Sequence, residues 1–249
     1  MTLSIKPVIY TLLLLLLTMM IFETTSLDVV VQNALYNFSE KHWVLILDKT
    51  SIAHLVFYDG VKASLVLFAL TILILLLFFR NKTWVKVRFT GLMVVFLSLV
   101  FIPLAVAFAK DISNVACPYQ LTNYGGNVPY VVVFEAYPEG VKPTQAQRCF
   151  PAAHASGGFA LVSLFFLART RKGRIQAIGC ALTIGWLMGG YKMLIGHHFL
   201  SHTLVSMIFS WLMAYSIALL LNSERLTRIR SFIPSLRYST HENNETHGS

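Results

Sequence analysis

Six stretches of the chain are apolar almost without interruption, at about 3–22, 62–79, 88–109, 152–168, 174–190 and 198–221. At 1.5 Å per residue, about 20 residues cross roughly 30 Å of hydrocarbon, so each stretch predicts a membrane-spanning helix. The fourth and fifth are the shortest. A segment inside hydrocarbon has to satisfy its own backbone hydrogen bonds, and the ten-residue alternation of barrel strands is absent. The expected fold class is therefore all-α: a polytopic membrane protein, a six-transmembrane helical bundle over residues 1–222. The tail, 223–249, is polar, lacks an apolar period and is expected to be disordered.

The segments between the spans are uneven. Two are long, at about 23–61 and 110–151. The first contains the apolar patches "LDVVVQNALYNF" and "HWVLILD", one or both suited to an amphipathic helix at the membrane interface. The second contains "NYGGNVPYVVVFEAYPEG", where turn residues alternate with a β-branched run, as in an ordered lid. Lys6 ahead of the first apolar run is a signal-peptide feature, but "ETTSLD" after it offers no small-x-small cleavage site. An uncleaved anchor is expected, with a cleaved signal as the alternative. Trp43 and Trp84 suit interfacial anchoring, and Gly189 and Gly190 suit close helix approach or a turn.

Composition supports a membrane protein: 56% of residues are apolar and 12% are charged. The net charge of +9 is concentrated in short segments. Arg80, Lys82, Lys86 and Arg88 separate spans two and three; Arg169, Arg171, Lys172 and Arg174 separate four and five; Arg225, Arg228, Arg230 and Arg237 lie in the tail. With six spans all three groups share one side, which places both termini in the cytoplasm. This topogenic pattern accounts for the charge without a nucleic-acid partner. The opposite side receives the 23–61 loop, with five acids and two lysines, and also Cys117 and Cys149. A Cys117–Cys149 disulfide is expected there, two free thiols being the alternative.

On that outer face, four segments distant in sequence deliver ionisable groups to the membrane mouth. Lys110 ends the third span, His154 begins the fourth, Lys192 follows the fifth, and His197, His198 and His202 open the sixth. Such groups are costly near hydrocarbon unless they face a polar cavity. His198 and His202 are four apart, as on one helix face, and a helix N-terminus favours anions. Two lysines and N-terminal amides suit a phosphate, and an adjacent imidazole can serve as nucleophile or proton donor. His197 reads as wall. A zinc site at His198, His202 and His154 competes, but it lacks a carboxylate base and two lysines would repel the cation. Neither metal nor other cofactor is expected.

Three motifs carry a resemblance. "KDISNVACP" aligns with Lys-x6-Arg-Pro, "PAAH" with Pro-Ser-Gly-His, and "YKMLIGHHFLSH" with Ser-Arg-x5-His-x3-Asp. In order and on one face, they make the chain resemble a bacterial membrane member of the type 2 phosphatidic acid phosphatase superfamily. The resemblance implies that His198 attacks phosphorus and becomes phosphohistidine, and that His154 protonates the leaving oxygen and later activates water. It also implies that Lys110 and Lys192 hold phosphate oxygens. Cys117 stands where the family has Arg, and Arg148 is the expected replacement. Ala152 and Ala153 replace Ser and Gly, Lys192 replaces Arg, and His202 replaces the orienting Asp.

The expected function is a lipid phosphate or lipid pyrophosphate phosphatase at the periplasmic face of a bacterial inner membrane. Its partners would be the bilayer and a membrane lipid phosphate. The alternatives are a lipid-to-lipid phosphotransferase and a catalytically degenerate protein that binds anionic lipid in the envelope.

Overall fold

The computed structural model describes residues 3–46, 55–141 and 143–222. The expected disordered tail falls outside the described residues. In chain order, α1 (Lys6–Thr24) leads to a short helix α2 (Leu27–Ala34) and a two-stranded hairpin, β1 (Tyr36–Asn37) with β2 (His42–Trp43). A π-helical turn, Leu55–Gly60, runs into α3 (Val61–Phe78), and α4 follows at Thr83–Ser113. After the second long segment come α5 (Ala153–Phe159), a 3-10 stretch (Ala160–Ser163) and α6 (Leu164–Leu167). The chain then forms α7 (Arg171–Leu194) and α8 (Leu200–Leu221).

Five of these helices, α1, α3, α4, α7 and α8, are long and apolar enough to cross a membrane. The chain is a helical, multi-pass membrane protein. The fourth expected span differs: Ala153–Leu167 is a shorter apolar element, interrupted by its 3-10 turn. It lies against α4, α7 and α8, so the bundle rather than lipid surrounds it. The third span is longer than its apolar run, because α4 continues beyond it at both ends through Lys and Arg positions.

Helices α1 and α3 are apolar on all sides, and Leu13, Leu17, Leu67 and Leu77 point outward. Such a surface belongs in lipid. Inside the bundle, Ile102 of α4, Ala160, Ala181 of α7 and Ala214 of α8 are fully buried. Small residues bring the helices close. A Cβ on Gly189 of α7 would meet Thr203 of α8 at 2.3 Å, whereas Gly190 faces open space. Ser206 and Ser210 are buried along α8 and donate to the carbonyls of His202 and Ser206, so these two hydroxyls are satisfied within their own helix.

The two long connecting segments fold together at one end of the bundle. Tyr36 and Trp43 from the first pack with Leu121, Tyr124 and Val128 from the second, and with Phe199. Trp43 is therefore a packing residue in this cap, not the interfacial anchor expected from sequence. Trp84, at the other end of the bundle, is exposed.

Cys117 and Cys149 form a disulfide across a separation of 32 residues. Closing a loop of this size stabilises a fold by about 3–4 kcal/mol in the chain-entropy account. Cys180, on α7, is free and exposed. Thiol alkylation of the unfolded protein should therefore modify one cysteine per chain without reductant and all three after reduction, read by mass. Three modified without reductant would contradict the bridge.

Candidate active site

The site gathers where α4 and α7 end and α5 and α8 begin. Lys110 lies in the last turn of α4, Lys192 in the last turn of α7, and His154 in the first turn of α5. His202 is in the first turn of α8, but His197 and His198 precede that helix. The expected placement of His198 on the helix face is corrected. The chain leaves α7 through Gly196 at φ +71°, and Phe199 is extended, so His198 sits on a tight turn.

That turn is held from several directions. His197 N–H donates to Lys192 O at 2.8 Å, and Tyr119 N–H donates to Gly196 O at 2.9 Å. The indole of Trp43 covers Gly196 so closely that a Cβ there would lie 2.2 Å from the ring. Glycine is required by both the backbone angle and the contact. The His197 ring stacks on Tyr119, 4.9 Å between ring centres.

His198 and His202 meet through their Nδ1 atoms at 3.4 Å. Both are buried, His198 at 2% exposure and His202 at 1%. Phe150 and Phe199 approach the His202 ring edge-on. The ring of His154 lies 6.2 Å from that of His198, centre to centre. Lys192 is buried, with its ammonium 5.7 Å from the centre of the Tyr191 ring.

Electrostatics tie the group together. Burial pushes the His198 imidazole well below its usual 6.5, with further lowering by His202, His154, Lys110 and His197. His197 is lowered to about 4, first by burial and then by Lys192 and Lys110. Both turn imidazoles are therefore neutral at pH 7. A neutral His198 has a lone pair to offer, and the surrounding lysines supply the positive charge that a phosphate needs.

Arg148 pairs with Asp111 at 3.5 Å, both side chains being more than half exposed. The disulfide brings this guanidinium to the end of α4, where Asp111 follows Lys110 in sequence. Ser156 does not replace the missing motif hydroxyl: its Oγ bonds back to Ala153 O at 2.7 Å. The zinc alternative also changes. The donor grouped with His198 and His202 is Cys149, not His154, and its sulfur is committed to the disulfide. A disulfide sulfur is not the thiolate that zinc binds.

The sequence reading missed Asp28. From α2 it reaches the start of α8, where its carboxylate accepts the Ser201 N–H at 2.8 Å and a short bond from the Ser201 hydroxyl. The N-cap residue Phe199 has no side-chain oxygen of its own, so Asp28 caps α8 from a distant segment. One turn later Gln32, fully buried, donates to Met193 O at 3.0 Å. The amide end of α8, expected to favour a phosphate, thus already serves a carboxylate. Asp28 and Gln32 are four apart within an apolar patch, and that spacing was the available signal.

A groove of about 480 Å³ leads away from His154 between α3 and α4. Leu65, Val66, Leu70, Phe96, Leu99 and Val100 make its walls, and Lys62 stands with His154 at its polar end.

Burial raises Asp28 to about 6, against the lowering effect of its Ser201 hydrogen bonds. A raised carboxyl favours the protonated fold, so this group's contribution falls as pH rises from about 4 through 6. Asp28→Asn removes that charge penalty and keeps an acceptor, whereas Asp28→Ala leaves the Ser201 donors without the carboxylate. Asp28→Ala should cost about 1–3 kcal/mol at pH 7.5, and Asp28→Asn much less, by thermal unfolding in detergent. No loss in Asp28→Ala would show that the cap is immaterial.

A family profile described as PAP2 superfamily matches residues 91–225. No curated protein and no solved structure matches the chain. The matched stretch covers more than half of the 249 residues and contains all three motifs, with Lys110, His154, Lys192, His198 and His202. The chain belongs to the PAP2 superfamily, whose activity is phosphatase chemistry on phosphate esters.

Proposed function

We propose that the protein is a lipid phosphate or lipid pyrophosphate phosphatase working through a phosphohistidine on His198. The observation that carries this reading is the continuity between the groove and the histidines. His154 lines an apolar groove open between two lipid-facing helices, and the same residue stands beside His198. A lipid tail gains little by leaving the bilayer for such a groove, because acyl chains are as apolar as leucine. The groove's use is positional: a chain lying in it sets its phosphate among Lys110, Lys192 and His198.

In this mechanism the His198 Nδ1–H donates to the Nδ1 lone pair of His202, leaving Nε2 to attack phosphorus. His202 also hydrogen-bonds the Cys149 backbone, which orients its ring. Lys110 and Lys192 stabilise the charge that builds on the phosphoryl oxygens. His154 gives its proton to the leaving oxygen, then takes one from the water that attacks the phosphohistidine. Water's oxygen ends on phosphate and His198 is regenerated. An imidazole at 202 supports the neutral nucleophile but cannot neutralise an imidazolium as a carboxylate does. Under the charge distribution of the loops, the site faces the periplasm and both termini face the cytoplasm.

Phosphate release in detergent, without added metal, tests the reading with lipid monophosphates, lipid diphosphates and a soluble phosphomonoester. The parent should release phosphate from a lipid substrate, and His198→Ala should reduce this at least 100-fold. Preference for the soluble ester would overturn the lipid reading. Absence of release, with phosphate moved to a second lipid, would replace hydrolysis by phosphotransfer.

The His198 shift sets the pH dependence. A pKa held below 6.5 keeps the nucleophile neutral, so kcat/KM should stay high as pH falls through 6.5 and drop steeply only below that value. A kcat/KM profile from about pH 4.5 to 8 checks this. An acid limb centred at or above 6.5 would show that His198 is not held neutral by its surroundings.

A further inference from the structure

The start of α8 does not need a charge to be capped. An amide or hydroxyl oxygen serves an N-cap as well as a carboxylate does, and burying a carboxylate is costly. Yet the oxygens that meet the Ser201 amide and hydroxyl belong to Asp28, which is 5% exposed. The positive end of the helix offsets part of the cost. Burial still raises this carboxyl to about 6, so at pH 7 the residue is ionised against the preference of its surroundings. Capping alone does not account for a charge in this place.

The charge shares a small cavity with the partner of the proposed nucleophile. Asp28, Ser201 and His202 line it, together with Tyr130, Phe150 and Phe199. It measures about 20 Å³, and one water needs about 10–15 Å³ with at least two polar partners. Phe150 and Phe199 approach the His202 ring edge-on, and Tyr130 does the same to Phe199, so aromatic walls enclose a carboxylate and an imidazole together. Tyr124 and Tyr130 also lie near Asp28; burial raises both hydroxyls above their ordinary value, so they carry no charge. Glu23 is the second acid at this cavity, and its oxygens accept the Val133 N–H at 2.9 Å and the Phe134 N–H at 3.4 Å. From His202 the contact continues to His198, Nδ1 to Nδ1 at 3.4 Å.

The sequence carboxylate, cavity, imidazole, nucleophile supplies what the third motif lacks, since His202 stands where the family has Asp. We propose that Asp28 is a positioning residue that acts through His202: across the cavity its carboxylate stabilises the positive charge that His202 and His198 share once His198 attacks phosphorus. This rests on the phosphohistidine reading. As the bond from His198 Nε2 to phosphorus forms and the bond to the leaving oxygen breaks, His154 protonates that oxygen and the His198 ring becomes cationic. Its Nδ1 proton is drawn to His202, which then carries the charge, and returns when water releases the phosphate. A negative charge held in a low-dielectric interior favours the cationic pair without touching the substrate.

Phosphate release in detergent, followed from about pH 5 to 8.5, tests this. The parent's kcat/KM should fall along an acid limb near 6, where Asp28 takes up a proton. Asp28→Asn keeps an oxygen for the cap and removes the charge. It should lower kcat at pH 8 about 10–100-fold, change KM less than about threefold, and lose the limb near 6. Ser201→Ala keeps the carboxylate but loses a hydrogen bond that lowers its pKa. It should hold kcat at pH 8 within about threefold of the parent and move the limb to higher pH. Thermal unfolding checks that each variant is folded; where Asp28→Asn is not, the limb shift in Ser201→Ala decides alone. A purely structural cap predicts that kcat follows Tm in both variants with the limb unmoved, and that result would overturn the proposal. Full activity in Asp28→Asn would overturn it too, while leaving the phosphatase reading intact. Absence of release by the parent from every substrate would instead remove that reading, and this proposal with it.

Discussion

The turn between α7 and α8 depends on a carboxylate supplied from more than 170 residues away. Asp28 holds the Ser201 amide and hydroxyl, and Gln32 on the same short helix holds the Met193 carbonyl. Between these two points lie Gly196, His197 and His198. A helix starting near hydrocarbon leaves several amides without partners, and an unsatisfied amide there is costly. By satisfying one of them, α2 pins the backbone that carries the proposed nucleophile. The segment between α1 and α3 is thus a structural part of the site rather than a connector.

A second constraint acts from the other side. The Cys117–Cys149 bridge draws the end of the long segment between α4 and α5 back onto the end of α4, and Cys149 Sγ lies 3.6 Å from His198 Nδ1. Cys117 occupies the motif position where the family has arginine, so the residue that removes a phosphate clamp also encloses the histidine pair. Arg148, next to Cys149 in sequence, is carried by the same bridge to Asp111 beside Lys110. His198 and His202 are both buried at this junction, and that burial keeps His198 neutral.

Charge is distributed differently at the two ends of the bundle. At the histidine end, Lys192 is buried, Lys110 is half-buried and the exposed Arg148 pairs with Asp111. At the other end, Arg88 and Arg169 are exposed. A reacting phosphate needs a nucleophile in a desolvated pocket, and buried imidazoles beside a buried lysine suit that need.

Much of the architecture was legible from the order of residues alone. Apolar runs located the long helices to within a few residues, because hydrocarbon thickness dictates their length. Three spaced motifs singled out Lys110, His154, Lys192, His198 and His202, which the structure gathers at one end of the bundle. The broken form of Ala153–Leu167, the seat of His198 on a turn and the packing of Trp43 over Gly196 were not legible, since each depends on what neighbouring segments leave room for. Asp28 was hidden for the same reason: an acid in an apolar patch looks like an interfacial residue until a distant helix start needs its oxygens. Sequence determined which groups are present and which end of the bundle they reach; tertiary structure decided which of them touch, because burial and hydrogen-bond satisfaction are settled between segments and not along one.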